Sequence, residues 1–145
     1  MTAALAGPPD ARTRRQRVTV PMLLAGGVLA ASLLLHVRDP HRSGSWGYCP
    51  WLVLTGTYCP GCGGLRAVND LGHGDLAAAA SSNLLFVVSV PVLLAWWGRT
   101  TRDRWRGVVR RSRPHRDVLL AVSFAVVALC FAVLRNTGPG SWLAP

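Results

Sequence analysis

From Val18 to Val37 the chain reads VTVPMLLAGGVLAASLLLHV, twenty residues without a charge and with His36 as the only titratable group. Wound as a helix it covers about 30 Å, the hydrocarbon thickness of a bilayer. In lipid every backbone N–H and C=O must be satisfied within the segment, so a run of this kind dictates a helix. Pro21 falls in its first turn, where proline is tolerated. The arginines ahead of the run resemble a signal-peptide n-region, and Val28-Leu29-Ala30 resembles a cleavage site. The apolar run continues past that point, so the segment reads as an uncleaved anchor.

Two further runs share this character. Leu76 to Trp97 opens after Asp75, a plausible N-cap, and closes on the aromatic pair Trp96 and Trp97, suited to the headgroup level. Asn83 and Pro91 interrupt its apolar surface, and an amide at that depth is expected to hydrogen-bond a neighbouring helix. The third run, Val118 to Leu134, is seventeen residues long and is followed at once by Arg135. The expectation is an all-α integral membrane protein with three transmembrane helices. Residues 1–17 form a disordered basic tail, and 18–145 form one membrane domain with spans at about 18–37, 76–97 and 118–134. Only 15% of the residues are charged, against about 25% in soluble domains, which agrees with lipid as the solvent.

The formal charge of +10 comes from sixteen arginines and six aspartates. Such a surplus can signal nucleic acid, but here the arginines flank apolar runs rather than share a folded surface, and no nucleic-acid partner is expected. Four precede the first span, three lie between spans one and two, eight between spans two and three, and one follows the third. By the positive-inside rule the amino-terminal tail and the Arg99 to Arg116 loop are cytoplasmic. The loop 38–75 and the carboxyl end are then extracytoplasmic, in the cell membrane. The eight-arginine loop can also grip anionic headgroups.

Residues 38–75 carry the only evident chemistry. Cys49, Cys59 and Cys62 fall within fourteen residues, and Cys59-Pro60-Gly61-Cys62 has the spacing of a redox dithiol or of half a zinc site. The segment after Gly64 spaces Leu65, Val68 and Leu71 as a short interfacial helix does. Cys62 then lies near that helix's amino end, where the dipole and Arg66 favour thiolate. Four readings stay open for the cysteines: a structural disulfide staple, a metal site, a redox-active pair, and free thiols. A metal would need a fourth ligand, for which His73 or His41 is available; no cofactor is demanded, and zinc is the ion such a Cys3His set would take. Alternatively Cys130, near the outer end of the third span, joins Cys49, Cys59 and Cys62 in two disulfides. Arg66 can pair with Asp70 at i+4, or bind an anionic headgroup or phosphate.

The order Cys49-Pro50, Gly56, Cys59-Pro60-Gly61-Cys62-Gly63, Arg66-Ala67, Gly74-Asp75, Ala79, Asn83 resembles a bacterial membrane-protein family, domain of unknown function 2752, over about Cys49 to Trp97. Leu65 stands where that family usually shows threonine, and Leu84 where a proline usually follows the asparagine. The resemblance implies a membrane location and a special cysteine loop, and supplies no reaction. Without a Ser-His-Asp, paired-carboxylate or phosphate-cradling constellation, the chain reads as a non-enzymatic structural or interaction module. Its outer loop would be stapled by disulfide or metal, and its partner would be another membrane protein or a second copy. A membrane thiol-disulfide protein using Cys59 and Cys62, with Arg66 favouring thiolate, is the alternative. Transport is disfavoured by the lack of any charge inside the spans.

Overall fold

A computed structural model of the chain describes residues 11–42, 44–108 and 114–144, and among them there are helices and no strands. Met1 to Asp10 of the expected tail, and Arg110, Arg111 and Arg113 of the arginine loop, lie outside the described residues. Helix α1 (Ala11–Val37) comes first, then two short helices, α2 (Pro50–Thr55) and α3 (Gly64–Gly72). After them come the long α4 (Leu76–Arg106) and α5 (Pro114–Arg135), and a closing 3-10 helix over Gly138–Leu143. α1, α4 and α5 are each long and apolar enough to cross a membrane, so the protein is an all-helical membrane protein with three of its four cysteines in the loop between the first two spans.

α1 begins seven residues earlier than the apolar run, in the part of the basic tail expected to be irregular. An existing helix extends at little cost through residues of fair propensity, and Arg and Gln are among these. Pro21 is consequently interior to α1 rather than in its first turn. α4 likewise continues past Trp97 into the arginine-rich segment. It stops where Gly107 adopts a left-handed φ of 72° and donates its N–H back to Arg104. α1 and α4 run antiparallel: Trp97, late in α4, donates its indole N–H to the Pro21 carbonyl early in α1 at 3.3 Å. The arginine-bearing ends of the two helices therefore share one end of the molecule, and the cysteine loop occupies the other.

The tightest seam joins α3 to α4. Ala67 and Ala79 are both fully buried there, small residues that let two helix backbones approach closely. α3 also packs on α1, fixed by Asn69, whose amide donates to the Leu35 carbonyl at 2.8 Å in the last turn of α1. The short helix expected after the cysteines is thus a packed strut across two spans. α5 is held differently, mainly through the closing 3-10 helix, which also touches α4. Of its described side chains only Phe131 and Arg135 are buried, and the rest of its apolar surface faces outward, as a lipid-facing helix does.

Because the seam depends on two alanines, enlarging one is informative. Ala79→Leu should overpack α3 against α4, costing about 1–3 kcal/mol. A lowered unfolding midpoint for the detergent-solubilised protein checks this, and Ala121→Leu on exposed α5 should leave the midpoint unchanged.

Candidate functional site: a three-cysteine centre

The cysteine loop is built from short local structures that end abruptly. Cys49 is the extended N-cap of α2, followed by Pro50 in the first turn, where its missing N–H costs nothing. Gly56, left-handed at φ 67°, ends α2 and returns the chain toward the bundle. The Cys59-Pro60-Gly61-Cys62 turn closes with Cys62 N–H to the Cys59 carbonyl at 3.1 Å. Gly63 at φ 79° then launches α3, a backbone position that only glycine adopts at no steric cost. The result gathers Cys49, Cys59 and Cys62 so that their sulfur atoms all lie within 4.8 Å of one another. Cys59 stands between the other two, its Sγ 3.6 Å from that of Cys49 and 3.1 Å from that of Cys62.

What holds this turn was only half visible in the sequence. Asn83 has extended backbone angles (φ −161°, ψ 95°) that break α4, and its Oδ1 accepts from Phe86 N–H at 2.9 Å, the pattern of an N-cap inside a long helix. Its amide donates to the carbonyls of Pro60 (2.9 Å) and Cys62 (3.0 Å). The expected bond to a neighbouring helix is therefore a bond to the cysteine turn. From the other side Arg135, 1% exposed, donates Nη1 to the Cys59 carbonyl at 3.0 Å and the Cys62 carbonyl at 3.1 Å, and Nη2 to the Leu143 carbonyl at 2.9 Å. Its guanidinium lies over the rings of Phe131 and Tyr58. Asn136 completes the clasp, accepting from Tyr58 N–H and donating to the Tyr58 carbonyl, both at 2.8 Å. The closing 3-10 helix fits under this arrangement because residue 140 is glycine; a Cβ there would run into the Leu134 carbonyl.

The structure places the other candidate residues apart from the three clustered sulfurs. His73 is outside the cysteine cluster: its Nδ1 meets the Asn69 carbonyl at 2.8 Å, and its ring stacks on His36 at 4.2 Å between centroids. His41 is also outside it, with Nε2 at 2.7 Å from Asp70 Oδ1. Asp70 is occupied on its other oxygen by the Ser82 hydroxyl, so the i+4 pair with Arg66 is not made. Arg66 instead donates Nε to the Pro40 carbonyl at 3.4 Å. Cys130 is exposed on α5 and not among the clustered sulfurs, which leaves Cys49, Cys59 and Cys62 as the candidate set. Nor is Cys62 the thiol most ready to ionise. Burial foremost, and then its bonds to Cys59 and Cys49, push it up to about 12. Cys49 is the one held below the ordinary thiol value, chiefly by the Leu52 backbone N–H at the start of α2.

The signal for Arg135 was present: a lone arginine abutting a short span, on the side where arginines are scarce. Two cavities result at this end. One, of about 610 Å³, has all three clustered cysteines in its wall together with Arg42, Trp46 and Arg66. The other, of about 330 Å³, is lined by His36, His41, His73, Asp39, Asp70 and Asp75. Asp75 is the N-cap of α4, as expected, accepting from Ala78 N–H at 2.8 Å.

Fold and site together define a class: a three-span membrane protein with a clustered trithiol at the loop end of its bundle. Residues 49–97, about a third of the chain, match the family model described as a protein of unknown function (DUF2752), the family the loop motif resembles. The matched segment carries the three clustered cysteines, α3 and the Asn83 break. No curated protein and no solved structure matches the chain.

The double duty of Asn83 makes it separable by substitution. Asn83→Ser keeps a capping hydroxyl and loses the two donations to the cysteine turn, at a cost of about 1–3 kcal/mol for the Pro60 carbonyl left unpaired, the Cys62 carbonyl keeping Arg135. With reductant and chelator present, maleimide should then alkylate Cys62 several-fold faster than in the unchanged protein. An unchanged alkylation rate would show that the amide does not hold the turn.

Proposed function

We propose that this protein is a small, non-enzymatic membrane module whose outer loop is stapled by one thiophilic metal ion, Zn²⁺ in the first instance, held by Cys49, Cys59 and Cys62. The observation that carries this reading is the mutual approach of all three sulfurs within 4.8 Å. Around a tetrahedral zinc with Zn–S bonds of about 2.3 Å, ligand sulfurs stand about 3.8 Å apart, so small adjustments bring the three onto one ion. A disulfide would use two of the sulfurs and strand the third, which leaves the convergence of three unexplained. The ion would tie the start of α2 to the turn before α3, so the loop would owe its order to the metal.

The stapled loop presents an apolar face. Tyr48, Trp51, Val53 and Leu54 are all exposed, and no charge occurs from Tyr48 to Cys62. At the edge of a bundle of membrane helices this face suits immersion in the outer leaflet and contact with a second membrane protein or a second copy of the chain. The arginine distribution supports an orientation in the cell membrane with the amino end cytoplasmic, and the loop and carboxyl end outside.

Metal analysis of the full-length protein in detergent micelles should give one zinc per chain, lost in Cys59→Ser and retained in Cys130→Ser and His73→Ala. A metal-free protein with Cys59 and Cys62 oxidised would replace this reading by the disulfide staple. Mixed disulfides trapped with other membrane proteins in Cys62→Ser would replace it by the redox alternative. For the orientation, a membrane-impermeant maleimide applied to intact cells after chelation and reduction should label Cys49. Labelling only in broken cells would invert the topology.

A further inference from the structure

We infer that the trithiol centre is completed by an anionic thiol of low molecular weight, its thiolate bound to the metal and its carboxylate held by Arg42 and Arg66 in the adjoining basin. The inference rests on the metal reading above and adds to it the identity of the missing ligand.

The first step is a count of donors. The chain brings three sulfurs together, and the residues that might supply a fourth ligand are committed elsewhere: His41 to Asp70, His73 to the Asn69 carbonyl and the His36 ring. Cys130 is out on the exposed face of α5. A metal with three protein ligands keeps an exchangeable fourth position, filled by water or an outside ligand.

The second step is the space beside that position. All three cysteines contribute to the wall of one basin of about 610 Å³, within the range of small-molecule sites. Much of the remaining wall is glycine, which leaves room for a ligand next to the sulfurs.

Charge gives the third step. Among the described residues no carboxylate and no histidine lines this basin, while two arginines do. The neighbouring cavity has the opposite make-up, with three aspartates and three histidines. Arg66 is informative because it sits in the first turn of α3, where the helix dipole disfavours a cation. Its Nε donates to the Pro40 carbonyl, and the guanidinium fork makes no hydrogen bond among the described residues. Held at its neck with the fork free, it is suited to a carboxylate. Arg42, exposed on the other lip, offers a second fork.

Softness selects the donor atom. A thiolate is the ligand that a zinc already bound by three sulfurs shares with its protein set. On binding, the metal–water bond breaks, the metal–sulfur bond forms, and the thiol proton leaves to solvent, with no change of oxidation state. A ligand carrying both a thiol and a carboxylate satisfies the metal and the arginines at once, which neither a neutral thiol nor a plain carboxylate does.

The test uses the full-length chain in micelles, loaded anaerobically with Co²⁺ so that the visible spectrum reports the ligand set. Mercaptosuccinate, 2-mercaptoethanol and succinate are titrated separately. Mercaptosuccinate should shift the cobalt bands and bind at least about tenfold more tightly than 2-mercaptoethanol, and succinate should leave the bands in place. In the Arg42→Gln, Arg66→Gln double variant, the mercaptosuccinate affinity should fall to that of 2-mercaptoethanol. Cobalt bands that mercaptosuccinate does not move, equal affinity for the two thiols, or loss of cobalt to the added thiol would overturn the inference and leave the metal reading standing. The absence of any thiolate–cobalt spectrum would sink both.

Discussion

Five consecutive carbonyls, from Cys59 to Gly63, belong to no long helix and lie where an apolar bundle meets its loop, and each must find a donor there. Three find them within the segment's own turns, at Cys59 from Cys62 N–H, at Gly61 from Gly64 N–H and at Gly63 from Ala67 N–H. The other two, of Pro60 and Cys62, depend on side chains that arrive from far along the chain: Asn83 serves both, and Arg135 serves Cys62 and gives Cys59 a second donor. A neutral amide and a buried cation thus converge on one turn from the second and third spans. The geometry of the sulfurs follows from that convergence, because the carbonyls of a four-residue turn cannot be fixed without fixing where its side chains start. It also explains how α5 stays attached while burying so few of its residues. Its last turn is anchored by charge-assisted bonds, which contribute more than a neutral bond each and are shielded here from water.

The spans and the cysteine loop were legible in the sequence because they rest on signals that act locally. A twenty-residue uncharged run needs no tertiary information to become a helix in lipid, and Asp75 ahead of Leu76 is a cap by its chemistry alone. The closeness of Cys59 and Cys62 was legible for the same reason, being two residues of spacing. What escaped the sequence is what depends on long-range meetings. The sorting of the histidines away from the cysteines required knowing that Asp70 is shared between Ser82 on α4 and His41 in the segment after α1, which take both of its oxygens. The direction of the Cys62 shift turned on burial, which a sequence does not display. Asn83 was visible as an oddity inside an apolar run, but its extended backbone, which makes it a cap and frees its amide for the loop, was not.

α3 brings these observations into one physical picture. Its charges run against its own dipole, with Arg66 in the first turn and Asp70 toward the last, so neither is placed for the benefit of the helix. Each is answered at its own end. Asp70 is hydrogen-bonded to His41 and Ser82 and helps to knit α3 to α4 and to the segment after α1, beside the histidine-lined cavity. Arg66 is tethered by its neck and lines the same cavity as the thiols. A nine-residue strut wedged by Ala67 against α4 thereby separates two chemically opposite compartments, one of acids and imidazoles, the other of soft sulfur and guanidinium. The same packing holds the imidazoles of His41 and His73 away from the three sulfurs. That three cysteines gather there without a histidine is therefore a property of the packing of α3.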